Sequence, residues 1–459
     1  MMSIEQQFAD FAFTLQAGGV PADARRILRQ VMLAATGAAV AGAGEDGIAP
    51  LRELLLERGG APQAASFVFG DRLPASGAAQ LNGTMCRALD YCDAMAPGIH
   101  IGSSLIPAAL AAAELAGGCN GAEFLAALAA GAEISSRLNL SESQYDGFDP
   151  TGIAVVFAPA AAAARILKLT PTQTLHALAL AFNRCGGSFQ SNIDGSLAVR
   201  AIQGWVAETG VVCAQMAQRG ITGPASFLGG LYGYGHLYGR GQLDLRALAE
   251  GLGRDWRLLK MMFKKYPSCG ATQGMTELVL QLVAELELRP EQVRAVRVVL
   301  PPYSFKLVGQ PWRIGVNPRV DAQFSAQYCV ANAIVRRSST LQHFRVEAVS
   351  DAAVGRLIER ITIEGDAALN SRGHTAVDVF LHTTDGKVHP RSLDIAPGFP
   401  GNALSDAHQR ARFDACMDYG AHPLPAAQRT AFLQAVEQIE DLPDARRLVS
   451  LLVADPRSC

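Results

Sequence analysis

The sequence predicts a mainly α-helical protein with an inserted α+β domain, and three observations carry that reading. From residue 4 to about 262, long Ala/Leu segments repeat apolar residues at helical spacing and are broken by Gly and Pro. Near residue 290 the pattern changes to strand-like alternation, and from Ser405 it turns helical again. The α+β stretch therefore interrupts a helical domain, with 1–262 as its first part, 263–400 as the insert and 401–459 as its return. A prior of roughly 150 residues per domain agrees with more than one unit in 459 residues.

Each element follows from local pattern. Pro21 stands at a first helical turn, ahead of ADARRILRQVMLAATGAAV. Small residues dominate, as in AAVAGAG and AALAAGAE, and they let helices approach closely and bury nearly all round. Runs such as IAVVFAPAAAAAR (153–165) are apolar, yet a charge interrupts each before the ~18 residues that a bilayer span needs. The glycine-rich GGLYGYGHLYGRG (229–241) lacks both phosphate-loop patterns and reads as an ordered loop. In the insert, VRAVRVVL (293–300), ERITIEG (359–365) and AVDVFLHTTDGKVHPRSL (376–393) alternate like half-buried strands, the last with the hairpin signal Asp385-Gly386. FSAQYCVANAIVRR (324–337) reads as a helix among them, which predicts an antiparallel sheet with helical cover. After Ser405 a helix ends near Gly420, and two more follow.

Composition narrows the function. A formal net charge of −2, from 40 Lys+Arg and 42 Asp+Glu, gives no excess that would draw the chain to nucleic acid or an anionic membrane. A small-molecule ligand is the expectation. MMSIEQQFADFAF is acidic and amphipathic, without the basic start of a secretory signal, which predicts a cytoplasmic protein. The 9 cysteines are scattered, Cys459 included, with no CxxC pair; reduced thiols are expected and no metal site. A Cys92–His100 metal pair lacks a further soft ligand nearby in sequence.

The stretch ALDYCDAMAPGIHIGSS (88–104) concentrates chemistry. On a helix ending near Asp93, Asp90 and Asp93 would share a face, and one of them could orient the histidine that follows. Pro97-Gly98 turns the chain, and Ser103 or Ser104 would cap the next helix, so His100 would stand beside free N–H groups able to seat a substrate carboxylate. Spacing alone also fits a solvated helix-end Asp93 and a buried loop His100.

LNGTMCRALDYCDAM followed by GIHIGSSLIPAALAAAE resembles the signature of the MmgE/PrpD family, with Asp90 and His100 at the family's interval. GFDPTG (147–152), GWVAETGVVCAQMAQRGITGP (204–224), KKYPSCGATQG (264–274) and FSAQYCVANAI (324–334) extend the resemblance along nearly the whole chain. It implies a helical domain with an α+β lid, a homodimer and a site between the domains. In that site Asp90, His100 and Lys264 would be catalytic, and Tyr328 would come from the lid. Without the resemblance, Lys264 beside Lys265 would read as a surface lysine.

The chain departs from the family pattern at several polar positions. Asp149 stands for a histidine in GFDPTG, Val199 for a lysine and Ile202 for a histidine in VRAIQG, and Gln273 for a frequent histidine; Cys269 is a common family choice. Arg200 does not simply replace the lysine, because one helical step turns a side chain by about 100°. Asp93, Asp149, Val199, Arg200, Cys269, Gln273 and Tyr328 are thus the expected binding residues around the catalytic three.

The resemblance implies proton transfer next to a carboxylate, with no redox cofactor or metal. His100 would be general acid/base, Asp90 its orienting partner, and Lys264 a charge stabiliser or second proton carrier. A lyase, dehydratase or decarboxylase, leads; an isomerase or epimerase and an inactive ligand-binding homologue compete. Val199 predicts a mono- or dicarboxylic substrate over a tricarboxylate, since a carboxylate facing valine keeps its desolvation cost without a partner.

Overall fold

A computed structural model describes residues 2–454; Cys459 and the end of the 401–459 segment lie outside the described residues. Among the helices of the larger core are α1 (Ala22–Gly42), α2 (Ala75–Arg87), α3 (Gly102–Leu115), α4 (Gly121–Leu138), α5 (Phe157–Ile166), α6 (Pro171–Phe182) and α7 (Ala198–Gln218). Their many Ala and Gly positions explain the packing. A Cβ on Gly204 of α7 would stand 2.4 Å from the Gln80 carbonyl oxygen of α2, so only glycine permits this helix contact. The contact matters because α2 and α7 form two walls of the cleft described below.

The α+β unit has its own apolar core, built from α8 (Gln273–Glu285), α9 (Ala326–Arg336) and one face of a four-stranded sheet. Two of the short strands that precede that sheet in the chain bear on the site, β1 (Asp93–Ala94) and β2 (Met262–Phe263), and the sheet itself is β3 (Val293–Leu300), β4 (Ile361–Gly365), β5 (Val377–Thr383) and β6 (Val388–Leu393). The order is β4-β3-β5-β6. The sheet is mixed and not antiparallel as expected, because β3 and β4 pair in parallel, Val296 opposite Ile361. Their connection runs through α9 and other helical turns, the kind of crossover a parallel pair requires. The β5–β6 hairpin turns at Asp385-Gly386, with Gly386 at φ 86° as the turn requires.

The chain then returns through α10 (Asp406–Tyr419) and α11 (Ala426–Glu437), capped by Ser405 accepting from the His408 N–H. Phe413, Met417 and Phe432 from these helices belong to the same apolar core as α1–α7. At the crossing, β1 and β2 pair antiparallel, and the Phe263 N–H donates to the Gly398 carbonyl at 3.1 Å. Residues 263 and 398 therefore lie side by side. No helix among the described residues is long and apolar enough to cross a membrane.

Candidate active site

A cleft, about 690 Å³ with the open solvent at its mouth included, lies where the two cores meet. Arg87, Asp90, His100, Asp149 and Val199 line it from the larger core, and Lys264, Cys269, Tyr303 and His374 from the segments beyond. Two corrections concern how the opening stretch of this site is built. The helix α2 ends at Arg87, so Asp90 and Asp93 do not share a helix face. Asp90 instead adopts a left-handed conformation, φ 49°, and Asp93 lies in β1.

Asp90 is held by cations. It pairs with Arg87, three residues earlier, and with Lys264, whose Nζ is 2.6 Å from Oδ1. The β1–β2 pairing explains this meeting, because Asp93 opposite Phe263 brings the following lysine back beside Asp90. All three side chains are nearly or fully buried. Asp90 is thus not the partner that orients His100.

The imidazole is fixed by backbone. His100 Nδ1 lies 2.8 Å from the Asp93 carbonyl oxygen, which can only accept, so Nδ1 carries the hydrogen and Nε2 is left unprotonated. Cys92 Sγ stands 3.5 Å from the same nitrogen. Burial, reinforced by Arg87 and Lys264, holds the imidazole pKa well below its ordinary value. The ring is neutral at neutral pH and can take a proton. Burial likewise pushes the Lys264 ammonium down to about 7, with Arg87 adding to the effect.

Asp93 caps a helix. Its Oδ2 accepts from the Gly102 N–H at 2.9 Å at the start of α3, the place expected for Ser103 or Ser104 and for a substrate carboxylate. Ser104 Oγ is turned to Gln203 instead, at 2.6 Å from Oε1. Burial raises the Asp93 carboxyl to about 6, opposed by these backbone donors. A Cβ on Gly102 would stand 2.2 Å from Asp93 Oδ1. Gly102→Ala is therefore expected to destabilise the fold by several degrees or more in Tm, read by thermal melting, and to remove activity with it.

The remaining expected residues divide. Asp149 lines the cleft, but its Oδ1 already accepts from the N–H groups of Thr151 at 2.9 Å and Gly152 at 3.1 Å, and burial raises its pKa. Val199, Ile202 and Cys269 also line it. Arg200, Gln273, Tyr328 and Asp93 do not. Arg200 Nη1 donates to the Asp46 carbonyl at 2.6 Å, on a different face of α7. Gln273 clasps its own loop, accepting from the Tyr266 N–H and donating to the Tyr266 carbonyl. The Tyr328 hydroxyl donates to the His343 carbonyl, and its ring stacks on Trp312 at 5.4 Å.

Arg87, Tyr303 and His374 went unnoticed in the sequence. Arg87 had a signal, a basic residue three positions before Asp90 at a helix end. Tyr303 and His374 had none, being loop and helix-end residues distant in the chain that meet with ring centroids 5.7 Å apart. His374 also pairs with Glu142 of the larger core. Among the described residues, no three of His, Cys, Asp and Glu converge as a metal donor set.

The MmgE/PrpD N-terminal domain model matches residues 6–245, and the MmgE/PrpD C-terminal domain model matches residues 266–438. The chain belongs to the MmgE/PrpD family. Among its MmgE/PrpD relatives, cis-aconitate decarboxylase of Homo sapiens is 24% identical over 405 residues, covering 84% of this chain and 82% of that protein. The cis-aconitate decarboxylase-like protein oryM of Aspergillus oryzae is 26% identical over 364 residues, covering 72% and 73%. The cis-aconitate decarboxylase of Mus musculus is 24% identical over 397 residues, covering 83% and 79%.

Proposed function

We propose that this protein is a lyase that works by proton transfer at a carbon next to a carboxylate of a small organic acid. The observation that carries the reading is the buried meeting of a neutral, backbone-oriented His100 with Lys264 and Asp90 in one cleft. A base for a carbon-bound proton must be unprotonated and positioned, and a developing carboxylate-derived charge must meet preorganised cations. Lys264 and Arg87 are those cations.

In the dehydratase form, His100 Nε2 takes the proton, and the electron pair left on carbon spreads into the adjoining carboxylate, facing Lys264 and Arg87. The neighbouring carbon–oxygen bond then breaks, and a proton from Lys264 lets the hydroxyl leave as water. In the decarboxylase form, a carbon–carboxylate bond breaks to release carbon dioxide, and the pair left behind is protonated by Lys264, whose pKa near 7 suits donation at neutral pH. The names of the relatives support decarboxylation; the Val199, Ile202 and Asp149 wall argues for a different acid.

An isomerase is the second reading, favoured by one observation: His100 and Lys264 reach the cleft from two different chain segments, so a proton can leave and return on different faces. Incubating the protein with candidate hydroxy and unsaturated acids and identifying products by mass and by chiral separation distinguishes the cases. Loss of water or carbon dioxide supports the lyase, and inversion without mass change supports the isomerase. Binding with neither would mean an inactive homologue.

In the same proposal, residues 263–400 act as a lid that closes over substrate, hinged where Phe263 and Gly398 lie together. Saturating ligand is then expected to slow hydrogen exchange along 264–274. Unchanged exchange would mean a rigid, preformed cleft.

A further inference from the structure

Two features of the cleft bear on what it holds, and the following rests on the proton-transfer reading above. The first is Arg87. Its guanidinium ends α2 inside the cleft with its side chain only 6% exposed, and Asp90 is its one ion-pair partner among the described residues. A guanidinium has five N–H donors, and one carboxylate that Lys264 also shares cannot occupy them all. Arg87 therefore keeps donors for a second, incoming carboxylate.

The second is the wall made by α7 and the segments that face it. Val199 and Ile202 line the cleft beside Phe189, Leu307 and Phe324. The one basic residue nearby on α7, Arg200, does not line the cleft and reaches the Asp46 carbonyl instead. Leu307 and Phe324 continue into an adjoining groove that also contains Trp312. Asn192, Gln310, Arg313 and Asp321 also line that groove, so the apolar wall runs from the reacting centre to the edge of a mixed surface.

Charge points the same way. Arg87 and Lys264 already share the carboxylate of Asp90, and Asp149 adds a second carboxylate to the lining of this cleft. One further carboxylate can share the two cations, whereas three would add charges with no partner on the α7 side.

We propose that Arg87 is the substrate-carboxylate anchor and that the α7 wall takes an apolar substituent, so the substrate is an alkyl- or aryl-bearing mono- or dicarboxylic acid. The cation that binds the acid comes from α2, and the position that holds a lysine in the family pattern holds a hydrocarbon contact.

The test is calorimetric titration of the whole protein with four acids that cannot react: succinate, methylsuccinate, butylsuccinate and propane-1,2,3-tricarboxylate. Affinity is expected to rise along the first three by about threefold to fourfold per buried methylene. The tricarboxylate should bind about 10- to 150-fold more weakly than methylsuccinate, whose skeleton it shares, the range for one lost charge-assisted hydrogen bond. Val199→Lys is expected to reverse that order. Arg87→Gln should weaken every acid at least tenfold, and Arg87→Lys should retain part of the affinity, with melting curves reporting whether each variant folds.

If the tricarboxylate binds wild type best, if chain length has no effect, or if none of the four binds, the proposal is wrong. So too if folded Arg87→Gln binds as wild type does. Because none of these acids reacts, a protein that shows the expected ranking but never turns over any acid would overturn the lyase reading and leave this one standing.

Discussion

His100→Gln is expected to lower kcat by about 10²- to 10⁴-fold, the contribution of a positioned general acid or base. The melting temperature should move by only a few degrees. Glutamine can keep the structural bond, since its amide N–H can donate to the Asp93 carbonyl that His100 Nδ1 now reaches at 2.8 Å. What glutamine lacks is a nitrogen able to take a proton. Steady-state kinetics beside a thermal melt checks both halves, and near-normal turnover in a folded variant would remove His100 from the mechanism.

Lys264→Ala is expected to cost about 10²- to 10³-fold in kcat, the scale for losing one preorganised donor to a developing negative charge. A rise in KM alone would make Lys264 an anchor for substrate and not a participant in the chemistry. The pH profile gives an independent reading. Burial holds the ammonium pKa down to about 7, so Lys264 is charged below that pH and neutral above it. If the reaction needs the cation, kcat/KM falls as pH rises through about 7, while the low pKa of His100 places the acid limb well below 6.5. Lys264→Arg stays charged throughout and should move the alkaline limb upward, even if it is slower. An alkaline limb that stays in place would assign it to another group.

Much of the fold was legible because it rests on local pattern. The alternation in 293–300 coincides with β3, Ser405 caps α10 as cap chemistry predicts, and the helix ends next to Gly420, though that glycine keeps a negative φ of −57°. The parallel β3–β4 pair was not legible, since alternation reports which face is buried and not strand direction. In the site, Asp90, His100 and Lys264 do share the cleft. Their contacts were misread for a physical reason: helical spacing assumes that the helix continues, and the chain leaves α2 at Arg87 to place Asp90 between two cations. Asp93, the first residue of β1, faces α3 for the same reason. Arg200, Gln273 and Tyr328 failed differently. Each lies close in sequence to the cleft, but the direction of a side chain relative to a cavity between two cores depends on how those cores dock, which no single segment records.

The central claim is that the cleft moves a proton at a carbon next to a carboxylate, with His100 as the carrier in the dehydratase form. Incubating wild type and His100→Gln in deuterated water with an acid that wild type binds, and following that carbon's proton by NMR, tests it most directly. The account predicts deuterium incorporation by wild type, in remaining acid or in product, and none above background with the variant. Turnover by wild type without deuterium at that carbon, or equal incorporation by both proteins, would contradict it.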